Sequence, residues 1–450
     1  MAGEPTEQDI ARAVKELRRT SQRAVYLKRA DHPTDGHVRT FFGGLPRLPK
    51  GVPWPRVTSM DGDEIAPTFV MQIQLEDMPS FAGRNALPQR GTLYFFVDTM
   101  FEGNGQPACK VIYCTGDAAQ LEEAQPPPDL MLLSGYLNDT NHFWLDADEP
   151  LSRRDFRYAV EPRVFTSYRD WWDQPAAQWH TGDAHQLAYW RLQLESLEEA
   201  FGPRQTVAPV FRDSDEMPEG WPWTWGFVFH TARAFIHALL EYVDPSGWRA
   251  KRTPEDAAAL YQRLIAEASA WRGQCENALG EAVAPEARSA FRDWFACALR
   301  DVHNAWSFTN GEGKHVVRSD ACSDYELRRK CRDALLFSAN WLLSQGERGD
   351  AAAHAARELL TSVGWKWTRD PNNDQGMLSI GIPLHQMLGF GQSVQGAPLE
   401  HASDVLLLQI AGDAGLAWHN NIGCTLQFWI SPGDLLLRRF EHVQATLECD

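Results

Sequence analysis

The sequence predicts an α+β fold in which two related β-rich halves are separated by a large inserted helical subdomain. Three observations carry this expectation. The chain changes texture twice: 31–178 and 365–450 are rich in Gly and Pro with short apolar runs of strand length, whereas 179–364 has helical periodicity. A strand pair near the N-terminus, FVMQIQL followed by GTLYFFVD, recurs near the C-terminus as LLLQIAG followed by CTLQFWIS. Each copy follows a Gly-rich stretch, FGGLPRLPKGVPWP at 42–55 and GFGQSVQGAP at 389–398.

Residues 1–30 read as an N-terminal amphipathic helix. Thr6 and Asp9 form a capping pair, Ile10, Val14 and Leu17 share one face, and Arg12, Lys15, Arg18, Arg19 and Arg23 make the other face basic. The first 19 residues lack the apolar core of a signal peptide, and no run of 18 apolar residues occurs, so a cytoplasmic protein without a membrane span is expected. In the N-terminal half, strands are expected over 67–75, 91–98 and 110–116, and a strand or short helix over 129–137, after the loop at Pro126, Pro127 and Pro128.

Six helices are expected in the middle block. The first carries Leu187, Trp190, Leu194, Leu197 and Phe201 at helical spacing and stops at Gly202-Pro203. A second covers 225–243. A third opens with Thr253 as N-cap and Pro254 in the first turn, carries Leu260, Leu264, Ala268, Trp271, Cys275 and Leu279 on one face, and is ended by Gly280. Pro285 opens a fourth with Phe291, Phe295, Val302 and Trp306; Ser323 and Glu326 form a capping box for a fifth; a sixth runs over 350–364.

The repeat aligns Gln72-Ile73 with Gln409-Ile410, and Thr92-Leu93 with Thr425-Leu426. Order and spacing together point to an internal duplication, with two β units about a pseudo-twofold axis. A Gln inside an apolar strand needs a hydrogen-bonding role, because a buried unpaired amide is costly. Gln72 and Gln409 either hold backbone at the sheet edge or line a cleft shared by the two units.

Composition narrows the function classes. The chain has 450 residues and a formal net charge of −17, which disfavours nucleic-acid binding and anionic membrane surfaces. Eight cysteines occur without a Cys-x-x-Cys pair or zinc-finger spacing, and read as reduced thiols, with Cys109 and Cys114 as candidates to face each other or a metal. Eighteen tryptophans stand out, and most fall on helical apolar faces, where core packing is expected; exposed ones would suit a carbohydrate-binding module.

Nucleotide motifs fail: NGEGKH at 310–315 has Phe308 where a P-loop needs its first Gly and His315 where magnesium needs Ser or Thr, and GFGQSVQG has Val394 in place of the last Gly of a dinucleotide fingerprint. His230 and His237 share a helix face among Phe227, Phe229 and Phe235 and are expected to pack. The remaining candidate for catalysis is a C-terminal set, His385, Asp413, His419 and Cys424, with the logic of a hydrolase nucleophile, base and orienting carboxylate. Asp413, Asn420 and Asn421 also suit a turn between two buried strands.

At these residues the chain resembles the YwqG-like family, a bacterial family of unknown function. The resemblance rests on FGGLPRLPKGVPWP, on MQIQLEDMP followed by LPQRGTLYFFVD, on HQMLGFGQSVQG, and on LLLQIAGD followed by GCTLQFWISPGDLLLRRF. It covers both ends of the chain and none of the helical block. It departs from the family where Trp-Gly-Asp-x-Gly is usual, since Trp418 is followed here by His419, Asn420 and Asn421. The resemblance implies two related α+β halves and no established reaction. Some relatives occur in toxin–immunity settings, so the expected partner is another protein, with a toxin as the most specific version. Neither cofactor nor metal is expected. The expected binding residues are Gln72, His385, Gln392, Gln395, Gln409, Asp413, Trp418, His419, Asn420 and Asn421.

Overall fold

A computed structural model describes residues 5–34, 38–98, 106–115, 121–130, 156–169, 182–202, 217–275, 277–346, 349–363, 384–393, 395–411 and 425–448. The strands in chain order are β1 (Gln22–Arg29), β2 (Phe41–Phe42), β3 (Arg47–Pro49), β4 (Val57–Thr58), β5 (Glu64–Ile65), β6 (Thr68–Gln74), β7 (Thr92–Val97), β8 (Cys109–Cys114), β9 (Leu121–Glu123), β10 (Tyr158–Ser167), β11 (Ser307–Thr309), β12 (His315–Val317), β13 (Gln386–Met387), β14 (Val405–Ala411), β15 (Thr425–Ile430) and β16 (Gln444–Glu448). The helices are α1 (Glu7–Thr20), α2 (Gly182–Phe201), α3 (Trp225–Leu240), α4 (Glu255–Cys275), α5 (Pro285–Trp306), α6 (Asp324–Ser344), α7 (Ala351–Val363), α8 (Ala397–Glu400) and α9 (Pro432–Leu436). The fold is mixed α+β. It divides into a sheet unit, Met1–Leu137, Arg153–Pro209 and Gly364–Asp450, and a helical unit, Asn138–Ser152 and Val210–Val363.

The sheet unit is built on ten strands in the order β16-β15-β14-β13-β1-β10-β2-β6-β7-β8. Every neighbouring pair is antiparallel. The order has the same roles read from either end. An edge strand (β16 or β8) flanks a hairpin (β15–β14 or β7–β6), then a two-residue strand (β13 or β2), then a long central strand (β1 or β10). The two central strands pair from Gln22↔Ser167 to Arg29↔Val160. Alternation along β1 sends Ala24 and Tyr26 to Phe165, Leu194 and Leu197, and sends Val25 and Leu27 to the opposite core.

That opposite core is common to both hairpins. Ile73 and Phe95 from one, and Ile410 and Phe428 from the other, join one buried cluster. Phe95 and Phe428, each the fourth residue of its strand, meet edge to face with ring centroids 5.2 Å apart. The ends of the sheet are tied as well: the Cys109 thiol donates to the Val443 carbonyl (3.4 Å), and the Tyr113 ring packs on Phe440.

The N-terminal helix forms as its cap predicts. The Thr6 hydroxyl accepts from the Asp9 N–H (3.3 Å), and the Asp9 carboxylate accepts from the Thr6 N–H (3.1 Å). Its buried face, Ile10, Ala13 and Leu17, packs on Ala184, Ala188, Tyr189 and Leu192 of α2. The helix does not fill 1–30. It ends at Thr20, Ser21 turns extended, and Gln22–Arg29 becomes the central strand, with Val25, Tyr26 and Leu27 fully buried. A β-branched and aromatic AVYL run flanked by central strands is a better strand than a helical continuation. Helix α2 likewise leaves the helical block. Its Ser196 hydroxyl accepts the Thr166 N–H (2.6 Å), so it belongs to the sheet. Its periodicity was legible; its packing partner was not.

The helical unit holds the other five expected helices. In α3, residues from Gly226 to Ile236 are all buried, as a helix enclosed on every side requires. Helix α4 stops at Cys275, before Gly280. Ser323 caps α6 by accepting the Glu326 N–H (3.1 Å), but the Glu326 carboxylate does not complete the box. It accepts from the Tyr242 hydroxyl (3.0 Å) and Arg249 (3.1 Å), beside the buried Lys330, which pairs with Glu241 at 2.6 Å. His230 is packed as expected: Phe337 and Trp341 are on its ring, and its Nδ1 lies 3.0 Å from the Ser338 hydroxyl. That hydroxyl donates to the Ala334 carbonyl (2.7 Å), so it accepts the Nδ1–H. Residues 131–137 of the segment expected as a strand or short helix lie outside the described residues.

Two expectations follow. Phe95→Ala and Phe428→Ala each destabilise the sheet unit by about 3–5 kcal/mol, and the double variant shows a coupling of roughly 0.5–1.5 kcal/mol in urea unfolding. Burial, and secondarily the charge of Arg233, push the His230 imidazole down to about 3 from its ordinary 6.5. Between those values the unfolded chain binds the extra proton, so stability falls as pH falls through 6.5 toward 3, by up to about 1.4 kcal/mol per pH unit. A His230→Gln variant therefore loses this slope in unfolding measured from pH 7 to 4.

Candidate functional site

Gln72 and Gln409 are both buried in the middle of their strands, and each binds a loop. The Gln72 Oε1 accepts from the Arg47 N–H (2.9 Å), and its Nε2 donates to the Arg39 carbonyl (3.0 Å). The Gln409 Oε1 accepts from the Gln392 N–H (2.8 Å), and its Nε2 donates to the Leu384 carbonyl (2.8 Å). The residues opposite them complete each anchor. Tyr94, facing Gln72, donates its hydroxyl to the Arg47 carbonyl (2.7 Å); Gln427, facing Gln409, donates its amide to the Gln392 carbonyl (2.8 Å). In each half one residue, Arg47 at the start of β3 or Gln392 in a loop, thus has both backbone groups held by a strand pair. The short strand before each loop ends in a left-handed residue, Gly43 (φ 64) and Leu388 (φ 60).

The two anchored faces differ in chemistry. The N-terminal one is aromatic: Phe41, Phe69, Tyr94 and Phe96 cluster with Trp54 against them. The C-terminal one is an amide network. Gln386 stands against Gln409 as Phe41 stands against Gln72. Its Oε1 accepts from the Ser167 hydroxyl (3.3 Å), and its Nε2 donates to the Phe390 carbonyl (2.7 Å). Gln427 donates to Gln409 (3.0 Å) and accepts from the Thr446 hydroxyl (3.3 Å), which accepts from the Trp429 indole (3.1 Å). The His401 ring stacks on Trp429 (5.2 Å, 5°), and its Nδ1 lies 2.8 Å from Asp404. Gly391 lets the loop reach this face, since a Cβ there would lie 2.7 Å from the Trp429 ring.

The structure therefore brings Gln392 and Gln409 together and places Gln72 in the opposite half. His385 is 1% exposed, its ring 4.9 Å from Phe42 and its carbonyl accepting the Leu27 N–H. Gln395 is exposed beside Gly396. Asp413, Trp418, His419, Asn420, Asn421 and Cys424 lie outside the described residues. Gln386, Gln427, Thr446, Trp429, His401 and Asp404 escaped sequence reasoning. Gln427 carried the same signal as Gln409, an amide inside an apolar strand, and could have been found by it.

The amides of the network are satisfied by one another, by backbone and by hydroxyl groups. It can fix loops; the described thiols of the sheet unit, Cys109 and Cys114, are not activated. Burial pushes the Cys109 thiol up to about 12 and raises Cys114 also. These two were candidates to face each other or share a metal, but they open and close β8, so an extended backbone sets them about 17 Å apart. That exceeds disulfide reach. Of the described tryptophans, only Trp248 is exposed (65%). No helix among the described residues is long and apolar enough to cross a membrane.

A mixed α+β protein with a ten-stranded antiparallel sheet and loop anchors in both halves is the class defined so far. Residues 40–216 and 309–449 match a family described as a domain of unknown function, DUF1963, and the chain belongs to that family. No curated protein matches the chain in sequence. The match includes both anchors and leaves out 217–308, which contains α3, α4 and α5.

Gln409→Leu leaves the Gln392 N–H and the Leu384 carbonyl without their partner. We expect a loss of about 1–3 kcal/mol in denaturant unfolding, with faster amide exchange at residue 392. In alkylation of the native chain, Cys297, which is exposed, should react first among the described cysteines, while the buried Cys275, Cys322 and Cys331 resist until unfolding.

Proposed function

We propose that this is a non-enzymatic protein-binding module of the YwqG-like type, built from a duplicated β unit. The observation that carries the binding reading is an exposed leucine pair in the sheet unit. Leu436 and Leu437, 80% and 59% exposed, sit at the end of α9. Their backbone is fixed on both sides. The Ser431 hydroxyl accepts the Asp434 N–H (3.0 Å), Pro432 occupies the first turn, His442 pairs with Asp434 (2.9 Å), and Arg438 takes a left-handed φ of 58. Large apolar side chains on a fixed turn lose little freedom on binding and serve as interface anchors. The net charge of −17 favours association with a basic partner. A basic toxin neutralised by direct binding is the most specific form of this reading.

Support for duplication comes from matched details that packing alone does not require. Both halves place the left-handed residue, the anchored residue and the buried Gln in the same order, and both hairpins shift register at the same place, Phe69/Met71 and Leu406/Leu408. Support for a non-enzymatic role comes from the burial of His385 and the mutual satisfaction of the amides.

A photocrosslinking residue at Leu437 in the intact chain, expressed in its native cells, should trap one defined protein. Leu436→Glu in the same chain should abolish trapping and leave the unfolding midpoint unchanged. Trapping that is absent, or that survives Leu436→Glu, removes this reading.

A further inference from the structure

We propose that the helical unit carries a binding site for an elongated organic anion with a negative group at each end. The site is a cleft of about 670 Å³ lined by α5, the start of α6 and the segment around Trp221. That volume lies within the roughly 300–1,000 Å³ of small-molecule sites. Residues Arg292, Phe295, Leu299, Arg300 and His303 recur at three- and four-residue spacing, so one face of α5 forms the wall.

Charge distinguishes this cleft from the rest of the molecule. The chain as a whole is strongly acidic, and three other arginines of the helical unit are engaged: Arg249 by Glu241 and Glu326, Arg263 by Glu267 and Asp301, Arg318 by Asp256. Arg292 and Arg300 have no carboxylate partner among the described residues, and Arg300 donates only to the Cys297 sulfur (3.2 Å). The one acid in the cleft, Asp324, is already held by His303 (3.1 Å) and Arg328 (3.4 Å). Arg292 and Arg300 thus bring to the cleft guanidinium charge that no carboxylate among the described residues pairs, and the apolar walls strengthen their attraction for an anion.

The arrangement also sets the ligand's length. His303 and Arg328 meet at Asp324, and Arg300 stands three residues before His303 at the same end of the helix face. Arg292 stands eight residues back along α5, about 12 Å away by helical rise. Between them lie Leu299 and Phe295, with Phe295 edge to face on Trp221 (5.4 Å). The middle of the ligand is therefore apolar or aromatic. In the same wall, the buried Trp221 Nε1–H has no acceptor among the described residues, a cost that an oxygen atom bound beside it would remove.

Biphenyl dicarboxylate, a rigid aromatic with a carboxylate at each end, is the probe. Calorimetry on the full chain at low salt should show saturable one-to-one binding that weakens with added sodium chloride. Arg300→Glu should reduce affinity roughly tenfold or more, and Arg292→Glu should reduce it to that of biphenyl monocarboxylate. Both arginines are exposed, so the fold is retained, with Arg300→Gln as a milder second variant and the unfolding midpoint as its check. No binding up to about 1 mM, or equal affinity in the wild type and both variants, overturns the proposal. Leu436 belongs to the sheet unit, so partner trapping and anion binding fail independently.

Discussion

The antiparallel pairing of β1 with β10 is the contact on which the sheet unit depends. Each of these strands is the inner neighbour of one half: β1 pairs β13 and β10 pairs β2. Their eight-residue register therefore converts two hairpin systems into one sheet. It also fixes which side chains face which layer. Tyr26 turns toward α2, while Val25 and Leu27 turn toward the core where Phe95 meets Phe428. A slip of one residue would exchange these faces and expose the shared core.

The second constraint is the cost of a buried amide. Two largely apolar strands carry a glutamine at the same place, and each glutamine bonds backbone on both sides. These bonds replace water for loops that would otherwise leave their backbone groups unpaired. One half supports its anchor with aromatic packing and a tyrosine hydroxyl. The other uses amides, Thr446, and a histidine stacked on Trp429. The halves share a geometry and differ in polarity, so the two anchored loops present different chemistry from a common frame.

The helical unit follows different physics. Its core is aromatic, with Trp221, Phe235, Trp271, Phe291, Trp294 and Phe295 in mutual contact. The buried Lys330 is paired with Glu241 beside Glu326 and Arg249, and the buried Arg233 lies over the Phe229 ring. The two units also differ at the surface: an exposed leucine pair stands on the sheet unit and an arginine-lined cleft on the helical one.

Sequence alone determined the elements whose signal is local. Thr6 and Asp9 fixed the start of the first helix, Pro285 and Ser323 opened two more, and alternating or continuous apolar runs located β6, β7, β14 and β15. The paired glutamines were also legible, because a buried amide inside an apolar strand demands a partner wherever it occurs. Tertiary structure decided what depends on residues distant in the chain. Gln22–Arg29 reads as the tail of a helix until β10 and β13 flank it. The periodicity of α2 says that one face is buried and not that β10 and α1 bury it. The amide network joins Ser167 to Gln386 across 219 residues, and the anion cleft joins α5 to α6 beyond a hairpin. Periodicity reports that a face needs covering; only the folded chain specifies the cover, because hydrophobic burial is non-directional and long-range register is set by packing.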